Sequence, residues 1–335
     1  MTNPLLQSAA DRVRSVFSDL EIQAVPLSAD CGIDLSVSVG NQVILIEAKK
    51  HLWPNEVASL AAYMRSRCQE HAEKPCFPMV VAPAISEKSA LICKKVGLNW
   101  ADLAGNCHIQ TENILIHVEG KSNPLAKKRG TASLYTPRAA RVVHALLLDP
   151  MRRWKVEELA HRSEVSLGQV SNVRQLLIKN AFAEAGREGL DVVDPRGLLA
   201  DWASSYKPRH NTKTFFTLQR PADIERSLSR HLTDYALTEM SAADRYAPFT
   251  RHQRVSFYVA AWPLHLDRVL ELRPAEGTPN LFIYEDPEGL RFSEDRDGAL
   301  CASPILTYLD LSNMGGRGQD AAEHLLDNVI HPRWQ

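Results

Sequence analysis

Asp34, Glu47 and Lys49 are the residues of this 335-residue chain whose types and spacing could do chemistry together. Two carboxylates brought close repel each other unless a cation lies between them or one is protonated. A hard divalent ion resolves that repulsion most simply. Magnesium commonly takes one or two carboxylates with water and a substrate phosphate, and a neighbouring lysine can hold the attacking water or the phosphoryl charge. Asp34 and Glu47 are therefore candidate Mg2+ ligands, and Asp34, Glu47 and Lys49 candidate catalytic groups. The alternative is a solvated hairpin carrying ordinary surface charges.

A hairpin has to position them. Two alternating runs, Ile33 to Val39 and Gln42 to Ala48, flank Gly40-Asn41, a pair suited to a two-residue turn. Pairing Val39 with Gln42 makes paired residue numbers sum to 81, which puts Asp34 opposite Glu47, with Lys49 on the same face as Glu47. A bulge would break this alignment by shifting the register. Downstream, PNEVASLAAYMRSRCQEH reads as a helix, FPMVVAPA as a buried strand, SEKSALICKKVG as a helix ended by Gly97, and CHIQTENILIHVEGK as a second hairpin. That order predicts an α/β domain with a mixed sheet over residues 1–120, and the Lys-, Ser-, Gly- and Pro-rich stretch 121–136 reads as a linker.

Charge then singles out the middle of the chain. The net charge is −1 overall, yet residues 121–180 carry +8 while residues 1–120 carry −3 and residues 221–335 carry −7. A basic centre between acidic ends is the electrostatic footprint of a localised nucleic-acid contact. In the same region PRAARVVHALLLDP, WKVEELAHRSE and SLGQVSNVRQLLIKNAF read as three helices, the third entered through a short turn with Ser166 as N-cap. Val170, Val173, Leu176 and Leu177 fall on one side of that helix. Ser166, Gly168, Ser171, Asn172, Gln175 and Lys179 are left for the other, a polar, lightly charged face suited to a major groove. FAEAGREGLDVVDP makes a hairpin with Arg187 at its tip, which completes a winged helix-turn-helix over residues 137–200. Arg187 would reach phosphate or the minor groove, and Arg152, Arg153 and Lys155 would hold the backbone. The alternative here is a small helical protein-interaction domain.

Residues 201–335 predict an α+β domain. LLADWASSY and Pro221 to Ala236 read as helices, VSFYVAAW, RVLELRP, NLFIYEDP and LRFSED as strands, and DAAEHLLDNVI as a final helix. Glu294, Asp295 and Asp297 lie in a polar turn with no phosphate-cradling element before them.

Hydrophobic residues make up 44% and charged residues 24%, which suits a soluble globular protein, and no apolar run approaches the roughly 18 residues that a membrane span requires. The first residues, MTNPLLQSAADRVRSVF, read as an amphipathic helix rather than a leader. The six cysteines form no CxxC pair, which argues against a zinc module and fits reduced thiols in the cytoplasm.

Two stretches resemble known families. GIDLSVSVGNQVILIEAKK resembles the core hairpin of the PD-(D/E)xK nuclease superfamily, which implies a restriction-endonuclease-like fold for residues 1–120. It also implies Mg2+ on Asp34 and Glu47, and Lys49 assisting water attack on a phosphodiester. Some branches carry a Gln four residues before a Tyr on the following helix; here Ser59 holds that place before Tyr63, and Asp11 and Asp19 are candidates for an acid on the first helix. RVVHALLLDPMRRWKVEELAHRSEVSLGQVSNVRQLL with LLADWASSY, YALTEMSAAD and YLDLSNMGGRGQDAAEHLL resembles the AbiEi group of type IV toxin-antitoxin antitoxins. That resemblance implies promoter binding by the winged helix, a nucleotidyltransferase-like C-terminal domain without a clear metal signature, and a cognate toxin as partner. The function expected is a DNA-binding transcriptional regulator acting on double-stranded DNA, antitoxin-like and working as a homodimer on paired half-sites. The second expectation is a Mg-dependent DNA endonuclease targeted by its winged helix.

Overall fold

A computed structural model describes residues 33–70, 74–123, 134–208, 211–250, 252–263, 265–275 and 277–335, with the backbone of Ile22–Pro26 and Ala132–Ser133. The expected first helix, with Asp11 and Asp19, lies outside the described residues, as do Cys31 and most of the linker. The chain divides into two compact units: residues 1–131 with 175–181, and residues 132–174 with 182–335.

The first unit is a seven-stranded mixed sheet whose strands lie side by side in chain order. These are β1 (Ile22–Pro26), β2 (Leu35–Val39), β3 (Gln42–Ala48), β4 (Cys76–Ala82), β5 (Asn99–Asp102), β6 (Cys107–Gln110) and β7 (Leu115–Val118). β3, β4 and β5 run parallel, and the flanking pairs are antiparallel. Parallel neighbours need crossovers, and two helices supply them: α1 (Val57–Glu70) and α2 (Glu87–Val96). α2 starts at Ser86, whose side chain accepts from Ser89 N–H, and stops at Gly97 with φ of 65°, a left-handed position that glycine adopts without Cβ strain. Val57, Leu60, Ala61 and Met64 of α1 pack with Leu45, Val80 and Trp100 on one face of the sheet; Val37, Ile44, Ile46 and Val81 form an apolar cluster on the other.

Cys68 near the end of α1 and Cys76 at the start of β4 are joined in a disulfide, with Cα atoms 5.2 Å apart, within the usual range for such a bond. The expectation of reduced thiols fails at this pair, because the helix end and strand start that it links adjoin in space. Cys93 and Cys301 are buried free thiols, and Cys107 is buried as well.

The second unit begins with three helices, α3 (Pro137–Leu148), α4 (Val156–Ser163) and the start of α5 (Leu167–Lys179), and continues with a hairpin, β8 (Ala183–Ala185) and β9 (Leu190–Val192). Trp154 joins this hairpin as a third rung by exchanging backbone hydrogen bonds with Leu190 at 3.1 and 2.9 Å. After α6 (Pro195–Ser205) comes a second seven-stranded mixed sheet. Its elements in chain order are β10 (Asn211–Phe216), α7 (Pro221–His231), β11 (Tyr235–Leu237), α8 (Glu239–Tyr246), β12 (Val255–Val259), α9 (Leu266–Val269), β13 (Arg273–Pro274), β14 (Leu281–Glu285), β15 (Glu294–Arg296), β16 (Ala299–Cys301), α10 (Pro304–Met314) and α11 (Arg317–Leu325). Across the sheet the strand order is β13-β10-β14-β12-β11-β16-β15.

Several local expectations are corrected here. The helix from Pro221 ends at His231, and Tyr235–Leu237 is a buried strand because its side chains complete the sheet core. RVLELRP is one short helical turn with a two-residue strand rather than a full strand, and LRFSED contributes only Glu294 and Asp295 to the strand Glu294–Arg296. Among the described residues, no helix is long and apolar enough to cross a membrane.

Candidate functional site

The hairpin holds the expected register from Leu35↔Ile46 to Val39↔Gln42, with every pair summing to 81. Gly40 supports the tight turn with φ of 58°. At Asp34 the ladder becomes irregular. The Asp34 N–H donates to Ile46 O at 3.1 Å, although its direct opposite would be Glu47. Ile33 packs in the cluster under α1 and α2 while Leu35 packs on the other face, so strict alternation breaks between them, as at a β-bulge.

The Asp34 carboxylate consequently performs a backbone task. Its Oδ2 accepts from Ala48 N–H at 2.8 Å, in place of a strand carbonyl. Glu47 and Lys49 project together, with Lys49 Nζ donating to Glu47 Oε1 at 2.8 Å; the Glu47 side chain is 15% exposed and that of Lys49 39%. The second oxygen of each carboxylate has no protein partner among the described residues. Among those residues no cluster of three or more His, Cys, Asp or Glu is arranged around a metal position. Carboxylate oxygens are the donors Mg2+ takes, and Glu47 stands beside the Lys49 ammonium, but the bulge breaks the direct opposition of Asp34 to Glu47 that the register predicts. Ser59 donates to Glu56 O on the exposed side of α1, and exposed Tyr63 lies one turn on.

In the second unit, α4 ends at Glu164 in the left-handed conformation (φ 52°), with its N–H on the Ala160 and His161 carbonyls. Ser166 then accepts from Gln169 N–H at 3.2 Å and starts α5, as its type predicts. Val170, Val173 and Leu177 are buried and Leu176 half-buried, which leaves Ser166, Gly168, Ser171, Asn172, Gln175 and Lys179 exposed. Ser171, Asn172 and Gln175 have no side-chain partner among the described residues, whereas Lys179 Nζ lies 5.4 Å from the Trp53 ring centroid within the first unit.

The expected backbone-holding cations separate into two kinds. Arg152 pairs with Glu158 at 3.3 Å and stacks 4.4 Å over Trp154; Arg153 is tied to Glu188 and, at 3.3 Å, to Asp191. Lys155 and Arg187 are exposed and in no ion pair among the described residues.

Sequence reasoning missed a buried polar network beneath the second sheet. Asp310 of α10, 5% exposed, accepts hydrogen bonds from Tyr206 Oη (2.8 Å), Tyr258 Oη (2.8 Å) and Thr238 Oγ1. Burial pushes its carboxyl up to about 7 despite those three donors. Glu239, 6% exposed, accepts from Arg254, Ser256 and Tyr284. The available signal was a lone acid inside the otherwise apolar run ILTYLDL, a position that demands polar partners from elsewhere in the fold.

No protein-family model and no curated protein matches the sequence. Among solved structures the chain is similar to the crystal structure of a protein of unknown function, AF1548, at 17% identity over 51% of this chain and 94% of that one; the TM-score of 0.24 is too low to carry an argument.

Proposed function

We propose that this chain is a DNA-binding transcriptional regulator whose reading element is α5, set in a winged helix-turn-helix. The carrying observation is that three helices are closed by a hairpin bridged to Trp154, while Ser171, Asn172 and Gln175 stand exposed on α5 without side-chain partners among the described residues. Asn and Gln can bond adenine edges bidentately, and Ser serves as donor or acceptor. Lys155 and Arg187 supply phosphate contacts, and Arg152 and Arg153 join them only by exchanging their acidic partners. The restriction-endonuclease-like reading of the first unit and the nucleotidyltransferase-like reading of the C-terminal region belong to this proposal. So do an antitoxin-like role with a cognate toxin, action as a homodimer, and residence in the cytoplasm. A gel shift with the chain's own upstream duplex tests it: the expected result is a retarded complex that Asn172→Ala weakens, and a duplex that never shifts at low salt overturns it.

A second reading, Mg-dependent endonuclease, is favoured by one observation: Glu47 and Lys49 share a face at 2.8 Å, with Asp34 at the adjoining strand end. Bound Mg2+ would lower the pKa of a water and neutralise phosphoryl charge. Asp34 and Glu47 would hold the ion, and Lys49 would orient the nucleophile. Plasmid incubated with Mg2+ or Mn2+ should then be cut by the wild type and left intact by Glu47→Ala and Lys49→Ala. Cutting that survives both substitutions removes this reading.

A further inference from the structure

A cavity of about 460 Å3 opens in the second unit between α3, α6 and the segment Asp286–Phe292. This volume lies within the usual range for small-molecule sites. Three features of its walls define what it can hold.

The first is a fixed aromatic platform. Tyr135 and Trp202 stack with planes 6° apart and centroids at 5.5 Å, and Tyr135 Oη is tied to Asp201 Oδ2 at 2.5 Å. Phe292 and His144 meet edge to face at 4.7 Å on the same lining, and His144 Nε2 is held by Ser303 Oγ at 2.5 Å. Side chains locked in this way lose little entropy on binding a flat ring, which prefers offset or edge contacts of this kind.

The second is an ordered polar floor. Tyr206 and Tyr258 both line the cavity, and their hydroxyls donate to buried Asp310. Their O–H groups are thereby committed within the protein, and the two hydroxyls also bond each other, so this part of the lining is polar and ordered. Gly289 keeps the Tyr258 ring in place by close backbone approach; a Cβ at that position would strike the ring.

The third is charge. Arg141, Lys207 and Arg291 line the cavity against Asp286 and Glu288. Arg141 and Arg291 share Glu288, and Arg291 also reaches Glu164 at 2.7 Å. Lys207 is exposed and in no ion pair among the described residues, so it is the cation available at the rim. His144 adds no charge, since burial holds its imidazole neutral, pushed down to about 3.

We propose that this cavity is a binding site for a planar aromatic molecule carrying one anionic group, its ring against the Tyr135–Trp202 platform and its anion toward Lys207. The proposal stands apart from DNA binding and from the Asp34–Glu47 site. Two sources share this chemistry, an aromatic carboxylate and a nucleoside monophosphate, and the probes separate them. Indole-3-acetate and adenosine 5′-monophosphate are titrated calorimetrically into the full chain, with indole and adenosine as uncharged counterparts.

The expected result is 1:1 saturable binding of one anion, about tenfold tighter than its uncharged counterpart. Lys207→Glu, at an exposed position, should remove that tenfold preference, and Ala140→Trp, which fills the cavity from α3, should abolish binding while the melting transition persists. No saturable binding of either anion up to about 1 mM overturns the proposal. So does affinity left unchanged by Lys207→Glu, which does not depend on whether Ala140→Trp folds.

Discussion

The acids at the end of the first sheet and those beneath the second have the same chemistry and opposite availability. Glu47, partly exposed, has one oxygen on Lys49 and one with no partner among the described residues, and Asp34 spends one oxygen on Ala48 N–H. Asp310 and Glu239 are almost wholly buried, and hydroxyls and an arginine surround them. A carboxylate with an unused oxygen at a strand end can meet a cation from solution. A carboxylate that orders three hydroxyls holds other side chains in place. The cations of the second unit divide by the same criterion, Arg152 and Arg153 being engaged by acids while Lys155 and Arg187 meet none among the described residues.

The sharpest test of this contrast is stability. Asp310→Ala should cost about 3 kcal/mol or more, because it strands the hydroxyls of Tyr206, Tyr258 and Thr238 in the interior. Glu47→Gln should cost about 1 kcal/mol, the order of a partly exposed ion pair with one hydrogen bond. Urea unfolding of the two variants measures both, and equal losses would break the comparison.

The second test is pH. The raised Asp310 carboxyl makes the folded state the better proton binder between its unfolded value near 4 and about 7, so its contribution to stability falls as pH rises through that window. Buried His144 acts oppositely: its folded value near 3 lies below the unfolded value of about 6.5, so its contribution is present above that pH and falls as pH drops below it. Relative to wild type, Asp310→Asn should gain stability as pH rises from about 5 to 7, and His144→Asn should gain as pH falls below about 6.5. Denaturation midpoints collected across that range check both signs.

Smaller effects are expected at the surface proposed to face DNA. Asn172→Ala should lose about 1–3 kcal/mol of discrimination at one base pair, measured by competition between duplexes. Lys155→Ala and Arg187→Ala should weaken binding evenly across sequences and lower the salt slope by about one each, while Arg152→Ala and Arg153→Ala change it less.

Much of the first unit was legible because its information is local. Gly40-Asn41 sets the hairpin register, Ser86 and Gly97 bound α2, and sheet neighbours are also sequence neighbours. The same locality made α3, α4, α5 and the hairpin readable from apolar spacing, Ser166 and the Gly-containing turn. Two things escaped. The irregularity at Asp34 depends on which core receives Ile33, a tertiary choice that alternation does not encode. The second sheet is assembled out of chain order from strands as short as two or three residues, so Tyr235–Leu237 gains its strand character only from Phe257–Val259 and Cys301 beside it. Its polar network joins Tyr206, Thr238, Tyr258 and Asp310, four positions that sequence spacing leaves unrelated.

The central claim is that an exposed α5 with unengaged polar side chains reads duplex DNA. Fluorescence anisotropy of a labelled duplex, titrated with wild type and with the Lys155→Ala/Arg187→Ala double variant at rising salt, tests it most directly. The account predicts affinity that falls linearly with salt on a log–log plot, with a slope shallower by about two in the double variant. Absence of binding at low salt, or identical slopes for the two proteins, would contradict it.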